Sequence, residues 1–278
     1  MSTNNNYVLI DGSYYMFYRY YALNVWWKLA KEKEEKEKEE KEKEEEEKEK
    51  AINECPEFVE KFNTTFVSKI QDIDKNLKLT KSIKYVGKDC RRKDIWRTAL
   101  FPEYKANRGE SNSLPMFVYE LADNLFLKAG IKQLLSYPTL EADDCIALFA
   151  KHLYQSEPDA HIWIIASDMD YLQITNDRIH LYDLKFKNIC EKSSGDPLQD
   201  LFCKIVAGDK SDNIPSVFKK CGIKTAQKYF NDRKLFEKKL AEDSTAQAIY
   251  QLNTTLVDFN SIPRELVEGF KQMYLPTM

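Results

Sequence analysis

The 278 residues are 43% hydrophobic and 13% aromatic, enough to bury one large core, or one core with a smaller partner, and too much for a chain that is disordered throughout. The formal net charge is −3, so a nucleic-acid ligand would have to bind a local basic patch rather than a generally basic protein. The sequence has no run of 18 apolar residues, no signal peptide and no C-x-x-C pair among its six cysteines, so we expect an intracellular protein with reduced thiols, no membrane span and no zinc site.

The first predicted elements are a buried strand and an aromatic helix. Residues 7–10, YVLI, form a short apolar run that ends at Asp11 and Gly12, as a buried strand does when it reaches a turn. Residues 14–29 are predicted to be helical and lead into residues 31–50, which are eight lysines and twelve glutamates. Without that tract the chain has 34 basic and 33 acidic residues. Because the tract has no apolar stripe, it is either a solvated helix held by i, i+4 pairs or a disordered insertion.

The middle of the chain alternates helices with short strands. The stretch FVEKFNTTFVSKIQDIDKNLK is amphipathic, and SIKYVGKD predicts a second strand that ends near Asp89. WRTALFPEYKANRGESNS predicts a helix that passes into a loop, residues 116–130 predict another helix, and HIWIIASDMD is the clearest strand. This alternation predicts an α/β fold with a largely parallel central sheet flanked by helices, in which ligands bind beyond the carboxyl ends of the strands.

An acidic cluster opens the helix predicted in TLEADDCIALFAKHL. Glu141, Asp143 and Asp144 lie within four positions of one another. On one interpretation they complement the positive end of the helix dipole, with Thr139 as the N-cap. On the other, Glu141 and Asp144 lie some 60° apart on the helix surface, so both carboxylates can aim at one point.

Further carboxylates follow the predicted strands and the motif AGDKSDNIPS. They are Asp11, Asp89, Asp168, Asp170, Asp209 and Asp212. Any one of them can be a turn or cap residue. Gathered at one edge of a sheet they would repel, because two unit charges ~4 Å apart at an effective dielectric of ~20 cost about 4 kcal/mol. Cations between them would remove that repulsion, and oxygen ligands suit Mg²⁺ or Mn²⁺, pairs of which support in-line displacement at phosphorus.

Basic residues follow Asp89 closely. Six cations fall within 18 residues: Arg91, Arg92, Lys93, Arg97, Lys105 and Arg108. Lys105 and Arg108 are three positions apart, so on a helix they would form one basic face. They are either an ordinary solvated surface or the groups that neutralise a phosphate.

In this order, the motifs VLIDGS, KDCRRKDIWRTALFPEYKANRG, TLEADD, ASDMDYLQI and AGDKSDNIPSV resemble the 5′-nuclease family, which comprises flap endonucleases, phage 5′–3′ exonucleases and the nuclease domain of bacterial DNA polymerase I. The resemblance covers nearly the whole chain outside residues 28–80. It implies a PIN-like fold with a helical arch at about residues 90–130 and a C-terminal helix–hairpin–helix region. We therefore expect a nuclease domain at residues 1–197, with 31–50 as an insertion, and a DNA-binding region at 198–278.

The resemblance also implies a chemistry and a set of site residues. The expected enzyme is an Mg²⁺-dependent structure-specific 5′-nuclease, a 5′–3′ exonuclease or flap endonuclease that uses two metal ions, with Mn²⁺ as an alternative. The ligands of the first metal are expected to be Asp11, Asp89, Glu141 and Asp143, and those that bind or orient the second are Asp144, Asp168, Asp170, Asp209 and Asp212. Lys105 and Arg108 would contact the scissile phosphate, and the further DNA contacts would be Arg97, Tyr104, Lys219, Lys220 and Lys224.

The expected partner is DNA with a 5′ flap, a nick or a 5′ end, and RNA–DNA hybrids are substrates of some family members. We expect a monomer, and residues 235–278 contain no recognisable clamp-binding motif. The hairpin sequence SVFKKCGIKTA is longer and poorer in glycine than the family pattern, which argues against the K⁺ ion that the family binds there. Two alternatives are a nuclease-inactive DNA-junction-binding protein of the same fold and a PIN-type ribonuclease, which would lack the AGDKSDNIPS element.

Overall fold

A computed structural model describes residues 5–39, 55–108 and 114–275. The second half of the Lys/Glu tract and the GESNS loop at residues 109–113 lie outside the described residues. Within them the chain forms a parallel five-stranded sheet between two layers of helices, which confirms the predicted α/β fold. All six cysteines are free thiols. Among the described helices, none combines the length and the apolar character needed to cross a membrane.

The sheet is built from five short strands with apolar sequences. They are β1 (Asn6–Asp11), β2 (Ile83–Gly87), β3 (Gln133–Leu135), β4 (His161–Ile165) and β5 (Ile179–Tyr182), in the spatial order β3-β2-β1-β4-β5. On β1, Tyr7 lies between Ile83 and Ile162. The chain adds β2 and β3 on one side of β1 and then returns to add β4 and β5 on the other. A crevice at the carboxyl ends of β1 and β4 is where such sheets bind ligands.

Helices cover both faces of the sheet and build the C-terminal region. They are α1 (Gly12–Glu39), α2 (Pro56–Gln71), α3 (Ile73–Asn76), α4 (Trp96–Leu100), α5 (Met116–Lys128), α6 (Ala142–Ser156), α7 (Pro197–Ala207), α8 (Ile223–Asn231), α9 (Arg233–Ala241), α10 (Ser244–Val257) and α11 (Arg264–Tyr274). Because side chains alternate along β1, Tyr7 and Leu9 pack in one core with α6 and α11, whereas Val8 and Ile10 pack in the other with α1, α2 and α5. The C-terminal helix α11 thus returns to the sheet.

Two long predicted segments have a definite place in this fold. The predicted helix at 14–29 is longer than expected, because α1 continues through residues 31–39 of the Lys/Glu tract. The predicted arch region, residues 90–130, includes α5, whose Val118 and Phe126 are buried in the core beside α1 and α2. The α5 part of the predicted arch region therefore belongs to the core of the fold.

The C-terminal region has a small core of its own. Phe202 of α7 packs against Phe236 of α9, with ring centroids 4.9 Å apart. Residues 208–222 join α7 to α8, an arrangement compatible with the predicted helix–hairpin–helix. Gly208 begins this connection with a φ of +71°, and a Cβ there would lie 2.5 Å from the carbonyl oxygens of Ile214 and Pro215, so only glycine fits.

Candidate active site

A cleft of about 440 Å³ opens beyond the carboxyl ends of β1, β2 and β4. Five of the nine predicted metal-binding acids line it: Asp11, Asp89, Glu141, Asp143 and Asp168. Lys105 and Arg108 line it as well. The structure therefore brings together carboxylates from four separate segments of the chain, together with both cations that were predicted to contact the scissile phosphate.

The ends of β1 and β2 place the first two acids. Asp11 is the last residue of β1, and its Oδ1 accepts the backbone N–H of Tyr14 at 2.9 Å in the first turn of α1. Asp89 follows β2 and accepts the backbone N–H of Ala142 at 2.8 Å, while its other oxygen accepts the Ser13 hydroxyl. Asp89 thus ties the beginning of α1 to the beginning of α6. A Cβ on Gly12 would lie 2.7 Å from the Gly87 carbonyl oxygen, so this close approach requires glycine.

The N-cap of α6 is Glu141 rather than the predicted Thr139. Glu141 has an extended backbone and forms a reciprocal capping box with Asp144, whose Oδ2 accepts the Glu141 N–H at 3.2 Å. Thr139 instead has a φ of +70°, and its hydroxyl has no hydrogen-bond partner among the described residues. The prediction failed because the helix begins two residues later than the Thr139 cap would require.

Glu141 and Asp144 do aim at one point, and that point is Arg97. The guanidinium donates to Glu141 Oε2 at 2.9 Å and to Asp144 Oδ1 at 2.7 Å, and its Nε donates to the Leu256 carbonyl of α10 at 2.7 Å. Trp96 adds an indole N–H to Asp144 at 2.9 Å. Arg97 is 2% exposed and Asp144 is fully buried. Arg97 therefore faces the carboxylates and α10 rather than the surface, which argues against the predicted direct contact with DNA.

Tyr104 is likewise turned inward. It is 5% exposed, and its hydroxyl donates to Glu141 Oε2 at 3.1 Å. Because the ring is covered and the hydroxyl contacts a carboxylate of the site, this position argues against the predicted direct contact with DNA. Its place in the structure is to support Glu141 from behind.

Lys105 and Arg108 lie in consecutive turns, not on the helix face that their spacing suggested. Lys105 has a φ of +56°, and its backbone N–H donates to the Asp212 carbonyl at 2.9 Å. Its ammonium group contacts Glu141 Oε1 at 2.6 Å, and Arg108 pairs with Asp212. The left-handed backbone at Lys105 ends any helix there, yet the turn still directs both cations towards the cleft.

The other four predicted metal-binding acids do not line the cleft but pair with cations of the protein. Asp144 pairs with Arg97 and Asp212 with Arg108. Asp170 and Asp209 share Lys204, whose ammonium lies 2.7 Å from Asp209 Oδ2. In this structure these acids have protein partners, so their role at a second metal stays a prediction.

Lys204 is the main residue of the site that sequence analysis missed. It lies on α7 within the apolar run LFCKIVA, and its exposure there is only 19%. Burial alone would lower the pKa of this ammonium, but Asp170, Asp168 and Asp209 raise it, so Lys204 stays charged. A lone lysine on the apolar face of a helix, five residues before Asp209, was the available signal.

Negative charge is crowded in the cleft. Burial and then the charge of Asp89 raise the pKa of Asp11 to about 8. Burial and then Asp143 raise the pKa of Glu141 to about 7, although Lys105 and Arg97 lie beside it. A further cation in the cleft would favour the ionised forms of Asp11 and Glu141.

The donor set fits a divalent metal ion. The lining acids offer carboxylate oxygens, the ligands that Mg²⁺ and Mn²⁺ prefer. Oxygens of Glu141, Asp143 and Asp144 lie within 4.8 Å of one another, although Asp144 is already engaged by Arg97. A bound cation would also relieve the repulsion that raises the pKa of Asp11 and Glu141.

Two further lining residues can be assigned a limited role. Cys90 borders the cleft, but burial and then Glu141 raise the pKa of its thiol to about 12, so it is a neutral thiol and not a nucleophile. Phe17 of α1 also lines the cleft and stacks on Tyr21 at 6.2 Å between ring centroids. The aromatic run at 14–29 was the signal for this apolar wall, which sequence analysis gave no role.

Sequence comparisons find relatives among nucleases. Residues 6–197 match the family described as the 5′-3′ exonuclease, N-terminal resolvase-like domain. A 5′-3′ exonuclease of Halalkalibacterium halodurans is 33% identical over 163 residues, which are 55% of this chain and 53% of that protein. The flap endonuclease of Escherichia phage T5 is 27% identical over 175 residues, which are 56% of this chain and 57% of that protein. The chain thus matches about half the length of these curated relatives.

Solved structures share the fold over almost the whole chain. The crystal structure of a phage T5 protein co-crystallised with metal ions has a TM-score of 0.64 at 18% identity and covers 97% of this chain and 98% of that chain. A complex of the phage T5 flap endonuclease with DNA and metal ions has a TM-score of 0.60 at 17% identity and covers 97% of each chain. At these identities the likeness shows the fold alone.

Proposed function

The chain belongs to the 5′–3′ exonuclease family, and from this premise we propose that it is a structure-specific 5′-nuclease that hydrolyses DNA phosphodiesters with divalent metal ions. The observation that carries the proposal is the convergence of carboxylates from four segments in one cleft, beside the three cations Arg92, Lys105 and Arg108. Its substrates would be DNA with a 5′ flap, a nick or a 5′ end, and the similarity to the flap endonuclease of phage T5 supports the first of these. RNA in RNA–DNA hybrids is a further proposed substrate.

The proposed cofactor is Mg²⁺, as two ions, with Mn²⁺ as an alternative. The residues that would hold it are the lining acids Asp11, Asp89, Glu141, Asp143 and Asp168. When bound, the ions supply an activated water nucleophile and neutralise charge at phosphorus. The expected products are a 5′-phosphate and a 3′-hydroxyl.

The chain's own contribution to catalysis would be electrostatic and positional. Lys105 and Arg108 place two positive charges on the cleft wall, where they would stabilise the charge that develops on a phosphate. Arg97, held by Asp144 and Glu141, fixes the first turn of α6 and so the direction of Asp143. Preorganisation of this kind avoids the cost of reorienting dipoles during the reaction.

The C-terminal region would hold the duplex. Lys219, Lys220 and Lys224 lie on or beside the connection between α7 and α8, and all three are exposed. Exposed lysines on a hairpin can contact successive phosphates, and such contacts make binding depend on salt. We therefore propose residues 198–278 as the DNA-binding region and 1–197 as the nuclease domain, although α11 packs against the sheet.

Cleavage of an end-labelled 5′-flap substrate tests the proposal. The wild-type protein should release the flap in Mg²⁺ and not in EDTA, and Asp11→Asn should abolish release. Asp159→Asn is the matched control, because Asp159 is an exposed acid just before the amino end of β4, at the opposite edge of the sheet. Tight, specific binding of the flap without cleavage in Mg²⁺ or Mn²⁺ would instead establish the nuclease-inactive junction-binding alternative.

A further inference from the structure

Tyr171 carries a hydroxyl group that has no hydrogen-bond partner among the described residues. The side chain is fully buried, and its ring packs in the core that contains α6 and α11. Leaving a buried polar group unpaired costs about 1–3 kcal/mol, and native proteins contain few such groups. A hydroxyl left in this state beside a ligand site suggests that its partner becomes available when the site is filled.

Three other buried tyrosines, Tyr7, Tyr15 and Tyr104, have hydroxyl groups with hydrogen-bond partners. Tyr15 is also fully buried, and its hydroxyl donates to the Phe66 carbonyl at 2.6 Å. The hydroxyl of Tyr7 donates to Glu157 at 2.5 Å, and that of Tyr104 to Glu141 at 3.1 Å. The unpaired state of Tyr171 is therefore not general among the buried tyrosines of this fold.

Tyr171 does not itself line the acidic cleft, but the backbone connects it to two acids that do. It lies in the 3₁₀ turn Met169–Ile174, whose N-cap is Asp168, and residues three apart in such a turn lie on the same side. Asp11 shares the sheet face of Tyr7 and Leu9, which pack in the same core as Tyr171. The strand and the turn thus bring the tyrosine and the two acids together from one side of the sheet.

Electrostatics agrees with this placement. After burial, the strongest influences on the Tyr171 hydroxyl are the charges of Asp11 and Asp143, followed by Asp168, and all raise its pKa. The Tyr171 hydroxyl is therefore a neutral donor that lies within the electrostatic reach of three acids of the cleft. A hydrogen bond from this hydroxyl to an ionised carboxylate would be charge-assisted and therefore stronger than one between neutral groups.

We propose that Tyr171 is a positioning residue of the metal centre, and that its hydroxyl donates a hydrogen bond to a carboxylate oxygen of the cleft floor once a divalent cation occupies the site. The inference rests on the proposed metal-dependent function. Groups that orient metal ligands in this way typically change metal affinity by about 10–100-fold when they are removed. Tyr171 would therefore act through a ligand and would touch neither the metal nor the substrate.

The test uses the full chain, Mn²⁺ alone as the probe and no DNA. Tyr171→Phe removes only the hydroxyl, and electron paramagnetic resonance of free Mn²⁺ should show affinity about 10–100-fold weaker than for the wild type. In EDTA the melting temperature of this variant should be unchanged or higher, because no hydrogen bond is lost. Tyr15→Phe is the matched control and should melt lower in EDTA and in Mn²⁺ alike, with Mn²⁺ affinity unchanged.

Two results would overturn the inference. One is Mn²⁺ affinity of Tyr171→Phe within twofold of the wild type, which would show that the hydroxyl does not orient a ligand. The other is a melting temperature in EDTA that falls as far as in Tyr15→Phe, which would show a partner that does not depend on metal. If the wild type binds no Mn²⁺, the proposed function fails as well. If the wild type binds Mn²⁺ and cleaves the flap, and Tyr171→Phe does both equally well, the inference alone is refuted.

Discussion

Replacing Arg97 with methionine should strongly destabilise the protein. The change leaves the buried carboxylates of Asp144 and Glu141 without their cation and the Leu256 carbonyl without its donor. Removing one partner of a buried ion pair lowers the free energy of unfolding by about 3–5 kcal/mol. The lost hydrogen bond to the Leu256 carbonyl places the expected loss near the upper end of that range. At about 2–4 °C per kcal/mol for a chain of this size, we expect the melting temperature to fall by roughly 8–20 °C.

Urea unfolding and calorimetry in EDTA at pH 7 measure this change directly. Arg91→Met is the matched control, because Arg91 is 77% exposed and its ion pair with Asp94 lies on the surface, where such pairs contribute about 0–1 kcal/mol. Arg97→Lys keeps the charge but cannot bind Asp144 through two parallel donors, so its stability should be intermediate. Equal stability of the Arg97→Met and Arg91→Met variants would refute the reasoning. If Arg97→Met lost DNA binding while its stability stayed unchanged, the direct DNA contact predicted from the sequence would be supported instead.

Three further predictions concern the cleft. Lys105→Met should lower the single-turnover cleavage rate by at least about 100-fold, because it removes a positive charge from the cleft wall. It should not weaken Mn²⁺ binding, because the lost charge contacts the carboxylate of Glu141. An unchanged cleavage rate would contradict the role of Lys105. The pKa of Asp11 in the folded protein is about 8, above its ordinary value of 3.8, so the contribution of its protonated form to the stability of metal-free protein should be present near pH 4 and be lost as the pH rises to about 8. Mg²⁺ should reverse this loss, and a melting temperature in EDTA that rises over this pH range would refute the assignment. Lys204→Met should cost about 3–5 kcal/mol in EDTA, because Asp170 and Asp209 lose their shared cation, and Mg²⁺ should recover part of that stability; urea unfolding with and without Mg²⁺ measures both.

The sheet and the acids at its edge could be predicted because the signals are local. Short apolar runs followed by aspartate mark β1 and β4, and parallel strands bring their carboxyl ends to one edge. It could therefore be predicted, without any knowledge of side-chain packing, that Asp11, Asp89 and Asp168 lie close together. The family motifs added Lys105 and Arg108 to the same cleft.

Which acids line the cleft and which pair with cations of the protein could not be predicted, because this depends on contacts between distant segments. Sequence spacing showed that Glu141 and Asp144 converge, but not that Arg97, 44 residues earlier than Glu141, would meet them. The same holds for Lys204, which reaches Asp170 from another helix. Helical periodicity also misjudged residues 105–108, since it assumes a regular backbone and Lys105 adopts a left-handed one.

The most direct test of the account is a crystal of the protein soaked in Mn²⁺ and measured for anomalous scattering. We predict manganese peaks inside the cleft, at coordination distance from the carboxylate oxygens of Asp11, Asp89, Glu141 and Asp143, with a second ion towards Asp168. A well-ordered crystal at saturating Mn²⁺ with no peak in the cleft, or with these acids directed to different sides of the molecule, would contradict it.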